Sequence, residues 1–224
     1  MLTCSLQREM RTSEKSLRAA AGPQLVQGKA EDFLKGFRAL WQQVGAPEAP
    51  AAFWAGGFDA PAGLGRFLED YLTELLMPRE LPAIVTAWGH ARRGELRELL
   101  AHDSQLAEPL RSTPFAAPSR RMGRLQLARL RPLREDRLVQ RYLAAVESGQ
   151  AHGWHTVVYG VTLAVYSLPL RQGLAHYSQE ALSALAAAAG RSKNFPQSEI
   201  DGLVADLLPR VPPAIETALA ESVH

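Results

Sequence analysis

The chain has 224 residues, 46% of them hydrophobic and 21% charged, a balance that supports one sizeable packed core and excludes a disordered polar chain. Its 25 Lys and Arg against 23 Asp and Glu give a formal net charge of +2, too small to imply a general attraction to nucleic acid or acidic membranes. Cys4 is the single cysteine, which excludes an intrachain disulfide and a cysteine-rich metal site and fits a reducing, cytoplasmic setting.

Residues 1–28 are polar, carry Gly22, Pro23 and Gly28, and lack sustained periodicity, which predicts a flexible N-terminal arm ahead of one all-α domain over 29–224. A charged stretch from Arg8 to Arg18 stands where a signal peptide would need an apolar core. No later segment reaches the roughly 18 apolar residues of a membrane span.

From Glu31 to Val44, the residues Phe33, Leu34, Phe37, Leu40, Trp41 and Val44 form one helical stripe. A Gly-, Ala- and Pro-rich packed loop is expected over Gly45 to Gly65. Leu64, Phe67, Leu68, Tyr71, Leu72, Leu75 and Leu76 then give a second stripe, expected to end at Pro78 because proline cannot donate to the helical ladder. Pro82 suits the first turn of a following helix with Ile84, Val85 and Trp88 inward.

Glu95 to Leu106 reads as a helix with Leu96, Leu99 and Leu100 inward and Asp103 and Gln105 outward. Pro109, Pro114 and Pro118 punctuate a connector, after which Ser119 is the expected N-cap of a helix through Arg131. Arg134 to Glu147 supplies a further helix ended by Gly149. The apolar run Trp154 to Leu168 has β-branched content that would suit a strand, but its length favours a buried helix. Pro169 opens an Ala-rich helix closed by Gly190, and two last helices flank Pro209, Pro212 and Pro213. The expectation is a single-domain bundle of roughly eight to ten helices.

The chemistry-bearing residues form no catalytic set. Gly56, Gly57, Gly63 and Gly65 cluster, but no strand precedes and no lysine follows them, so they lack the makings of a phosphate loop. His152 and His155 could share a helical face as two metal ligands without an evident third; hydrogen bonding at a helix start is the simpler role for them. No G-x-S-x-G elbow is present, and the paired acids Glu69–Asp70 and Glu135–Asp136 are adjacent rather than on one face. Arg111 to Arg141 is the most basic stretch, yet interleaved aromatics are missing and Leu125, Leu127, Leu130 and Leu133 look like core contacts. A partner-facing or solvated helix fits better than a nucleic-acid one.

Several segments carry a family resemblance. AGGFDAPAGLG, with Gly56, Gly57, Phe58, Gly63 and Leu64, resembles the P-x-G-G-F-x-x-S-x-G-L-E segment of the UreF family, with Pro61 in place of the family serine and Gly65 in place of the glutamate. SRRMGR, with Ser119, Met122 and Gly123, is similar to the family's S-x-x-M-G, although Ala116 stands where the family has arginine. His155, Val157, Val158, Tyr159 and Gly160 resemble its H-x-x-V-x-(F/Y)-G, and Arg191 and Gln197 keep the separation of R-L-x-P-L-G-Q around a divergent SKNFP.

The resemblance implies a UreF-like all-α fold and a non-enzymatic, cytoplasmic, dimeric factor without a cofactor of its own. Such a factor would assist nickel insertion into the urease apoprotein by binding UreD (also called UreH) and recruiting the GTPase UreG. Gly56, Gly57, Phe58, Gly63 and Leu64 would set close packing, and Arg120, Arg124, Arg191 and Gln197 would face partners. A paralogue of the same fold, or a helical ligand-binding protein with a pocket between helices, is the alternative.

Overall fold

The computed structural model describes residues 60–111 and 115–221. The expected N-terminal arm, the helix at Glu31–Val44, and Gly56, Gly57 and Phe58 lie outside these residues.

All regular structure among the described residues is helical, with no strand. Helix α1 (Pro61–Asp70), a ten-residue π-helical segment (Tyr71–Glu80) and α2 (Leu81–Arg93) run on as one rod. Next come α3 (Leu96–Gln105), α4 (Ala107–Arg111), α5 (Ala116–Arg129), α6 (Arg137–Glu147), α7 (His155–Val165) and α8 (Leu170–Lys193). The last rod joins α9 (Gln197–Leu207), a 3₁₀ turn (Leu208–Arg210) and α10 (Val211–Glu221). α3 and α4 also run on through Leu106, whose N–H bonds to His102 O and whose carbonyl accepts from Leu110 N–H, so the described residues form 7 helical rods rather than eight to ten.

Where rods start and stop follows from local chemistry. Asp136 caps α6, its side chain accepting from the Val139 N–H at 3.0 Å. Gly94 (φ 72°) and Gly149 (φ 80°) take the left-handed conformation just past α2 and α6. Several expectations about boundaries fail. Pro78 does not end its helix, because the π-helical turn moves the carbonyl that the ring would otherwise strike; the Leu81 N–H bonds back to Leu76 O in the wider register. Gly190 does not close α8, which runs to Lys193 and ends at Asn194 with φ 55°. Ser119 is no N-cap, since α5 already begins at Ala116. The helix expected from Arg134 starts at Arg137.

Two apolar cores share α2 and α7. Leu64, Leu68, Leu72 and Leu76 from the first rod pack with Leu174, Leu182 and Ile215 from α8 and α10. Leu99, Leu127, Tyr142 and Val157 centre the other. Residues 155–163 of α7 are all buried, so this helix is the axis of the fold. Its crossings are backbone-close: a Cβ on Gly160 would lie 2.5 Å from Ile84 O of α2, and one on Gly123 of α5 would lie 1.9 Å from Gly153 O. Only glycine permits such approaches. Leu125, expected in the core, is instead 59% exposed.

A buried carboxyl network and its cavity

The π-helical segment carries the main consequence of the local fold. Tyr71 and Glu80 are nine residues apart, which is two and a half α-helical turns at 3.6 residues per turn and would set them on opposite faces. Widening the helix to i→i+5 bonding, roughly 4.4 residues per turn, brings both to the same inner face. Tyr71 Oη then donates to Glu80 Oε2 at 2.7 Å.

From α8, Tyr177 Oη donates to the same oxygen at 2.9 Å. That uses the Tyr177 proton, so the 2.6 Å contact between Tyr177 Oη and His155 Nε2 has the imidazole as donor. His155 Nδ1 is thereby left to accept from Ser119 Oγ at 2.7 Å. A single row of hydrogen bonds thus joins α5, α7, α8 and the π-helical segment, from Ser119 through His155 and Tyr177 to Glu80. All four residues are buried.

Burial pushes Glu80 up to about 7, against the lowering effect of the Tyr71 and Tyr177 hydroxyls. Burial holds His155 down to about 3, so its ring is neutral at physiological pH. Glu80 Oε1 has only a 3.8 Å approach to His155 Nε2.

Beside this row lies a cavity of about 280 Å³. Glu80, Ser119, His155, Thr86 and Thr156 form its polar part, and Pro78, Pro82, Ala83, Leu106, Leu110 and Phe115 its apolar walls. His102 lines it as well, its Nε2 donating to Ala83 O at 3.0 Å, and burial lowers the affinity of that imidazole for a proton.

Serine, histidine and glutamate in one row invite comparison with a hydrolytic triad, and the geometry argues against it. Glu80 reaches the imidazole through Tyr177 rather than directly. A ring held near 3 is a weak base. Ser119 stands within α5, its own N–H bonded to Phe115 O at 2.8 Å, so the helix keeps the amide that an oxyanion hole would need.

A second buried acid, Asp103 of α3, was expected outward and is fully buried. Its carboxylate accepts from Tyr142 Oη (2.7 Å), His152 N (2.6 Å) and Gly153 N (3.0 Å), and its carbonyl accepts from Trp154 Nε1 (2.8 Å). Asp103 therefore fixes the loop that leads into α7.

The residues singled out by sequence distribute as follows. Gly63 and Leu64 lie in α1 rather than in a loop, with Leu64 in the core. Met122 is half-buried on α5, between the inward Ser119 and Gly123. Arg120 and Arg124 are exposed on the outer face of α5 with Arg121 and Leu125, where they border one shallow hollow. The Arg120 guanidinium also lies 5.7 Å from the centre of the Trp154 ring.

Arg191 lies in the last turn of α8, and Gln197, the first residue of α9, donates to Asp201 Oδ1 at 2.8 Å. His152 and His155 do not share a helical face: His152 stands in the loop before α7, and both ring nitrogens of His155 are engaged. Among the described residues no group of three or more His, Cys, Asp or Glu is placed to hold a metal ion. Glu80 and Tyr177, the centre of the network, carried no sequence signal, because nothing local reveals that the intervening helix is π.

Among the described residues the regular structure is all helical, the inward motif residues Ser119, Gly123, His155 and Gly160 fasten helices together, and Arg120, Arg121 and Arg124 face outward. The sequence model of the UreF family matches residues 59–208, more than half of the chain, and the protein belongs to this family of urease accessory proteins. No curated protein sequence matches it. Two departures from the family segment have local reasons. Pro61 opens α1, where its fixed φ suits the first turn. Gly65 faces α9, where an added Cβ would lie 3.0 Å from Leu203 Cδ2 and a glutamate would need Leu203 to move.

Proposed function

We propose that the protein acts in the cytoplasm as a non-catalytic, dimeric assembly factor that assists nickel insertion into urease. It would bind UreD (UreH) and, in that complex, recruit or regulate the GTPase UreG. The observation that carries this reading is the family match over residues 59–208, together with the way the SRRMGR segment is divided. Ser119 and Gly123 turn inward to fasten α5 to α7, while Arg120, Arg121, Arg124 and the exposed Leu125 are left for a partner. Arginine forks recognise carboxylates in pairs, and an exposed leucine among them supplies the apolar contact typical of a protein interface. Among the described residues no helix is long and apolar enough to cross a membrane.

The test is co-purification of the full chain with UreD and UreG from the same source, followed by urease activation in a strain lacking this gene. The wild type should form the complex and restore urease. Arg120→Glu with Arg124→Glu should lose the complex at unchanged helicity. Failure of the wild type to bind either partner would overturn the proposal and favour a paralogue of the fold that serves another complex.

A further inference from the structure

The cavity beside Glu80 has the marks of a ligand site, and the assembly role makes no use of it. Its deep end is a carboxyl group that is 6% exposed and has one oxygen, Oε2, holding both tyrosine hydroxyls. The other oxygen, Oε1, has no hydrogen bond closer than the 3.8 Å approach of His155. Glu80 lines the cavity, so a molecule bound there can supply the donor that this oxygen lacks. At the solvent end stands Arg79, an exposed residue whose guanidinium also reaches Pro109 O at 3.4 Å. Between the two ends the walls are apolar, Pro82, Ala83, Leu110 and Phe115 among them.

This order of groups selects a ligand by charge and polarity. A cation would pass Arg79 to reach Glu80, and an anion would meet Glu80 at the closed end. A neutral molecule avoids both conflicts if its donor points inward and its acceptor outward. Mostly apolar pockets with a few convergent polar groups, including a group displaced from its ordinary ionisation range, are the common form of small-molecule sites. The ten-residue π-helical segment that turns Glu80 inward is itself a departure from regular structure of a kind that recurs at functional sites.

We propose that this cavity binds a small uncharged organic molecule. The ligand donates a hydrogen bond to Glu80 Oε1, lays a short apolar body against Ala83 and Phe115, and presents an acceptor to Arg79. The proposal is independent of the urease reading, and either can fail without the other.

The probe is 4-hydroxybenzamide, whose hydroxyl, ring and amide carbonyl follow that order, with 4-methoxybenzamide as the control that lacks the inner donor. Titration of the full chain by saturation-transfer NMR at about pH 8, where Glu80 is ionised and Oε1 can accept, should give a Kd of about 1 mM or tighter for the first probe. Binding of the control should be weaker by about ten-fold or more. Ala83→Phe fills the cavity from its buried wall, and Leu110→Trp fills it from a half-buried one; each should abolish binding while the thermal melt stays cooperative. If Ala83→Phe does not fold, Leu110→Trp decides. No binding of 4-hydroxybenzamide to the wild type, equal binding of the two probes, or undiminished binding to folded Leu110→Trp would each overturn the site.

Discussion

Two buried carboxyl groups flank the start of α7, Asp103 against residues 152–153 and Glu80 beside His155, and behave in opposite ways. Asp103 is saturated: a tyrosine hydroxyl and two backbone N–H groups within 3.0 Å converge on its oxygens, and the loop that supplies those amides is thereby fixed in front of α7. Glu80 is served on one oxygen only, borders a cavity, and is pushed up to about 7 by burial. A buried acid surrounded by backbone amides is a fastening. One held by side chains and left partly open keeps a capacity to bind or to change its protonation.

Removing the saturated acid should have the largest effect. Asp103→Ala strands the Tyr142 hydroxyl and the amides of residues 152 and 153, and should cost about 3–5 kcal/mol in urea unfolding. A loss under about 1 kcal/mol would show that the loop does not depend on it. Gly123→Ala comes next. It drives a methyl group into Gly153 O, which belongs to that same loop, and should cost about 1–3 kcal/mol by parting α5 from the start of α7.

The open acid should show itself in the pH dependence of stability. Glu80 holds its proton more tightly folded (about 7) than unfolded (4.5), so its contribution falls as pH rises from 4.5 to 7. His155 holds its proton less tightly folded (about 3) than unfolded (6.5), so its contribution rises with pH from 3 to 6.5. Between pH 4.5 and 6.5 the two slopes cancel. Glu80→Gln removes one of them, so the difference in stability between variant and wild type should change by about 2 kcal/mol in favour of the variant over that interval. Groups common to both proteins drop out of the difference. Parallel profiles would mean that Glu80 titrates in its ordinary range. The smallest effect on stability belongs to the outer face of α5, where Arg124→Ala and Leu125→Ser should each stay within about 0.5 kcal/mol of wild type in urea unfolding.

Much of this architecture was legible in the sequence. The stripe from Leu64 to Leu76 and the apolar run after Trp154 declared their helices, because periodic burial is written directly into residue order. The motif positions Ser119, Gly123, His155 and Gly160 were legible as a family resemblance, though not as what they are: two backbone-close crossings and the ends of one hydrogen bond. Asp103 was misplaced because a helical carboxylate next to polar neighbours looks like surface until a distant loop brings amides to it. The same holds for Leu125, whose residue type says core although its place on α5 says otherwise.

Composition and pattern by themselves determined an all-helical chain with outward arginines and no local catalytic signature. Only the tertiary structure decided that Tyr71 and Glu80 face the same way. Their alignment depends on a π-helical register that local sequence does not encode, held by hydroxyl donors from its own first residue and from Tyr177 on α8. It likewise decided which buried acid is saturated and which is open, since the partners of each lie up to 97 residues away along the chain.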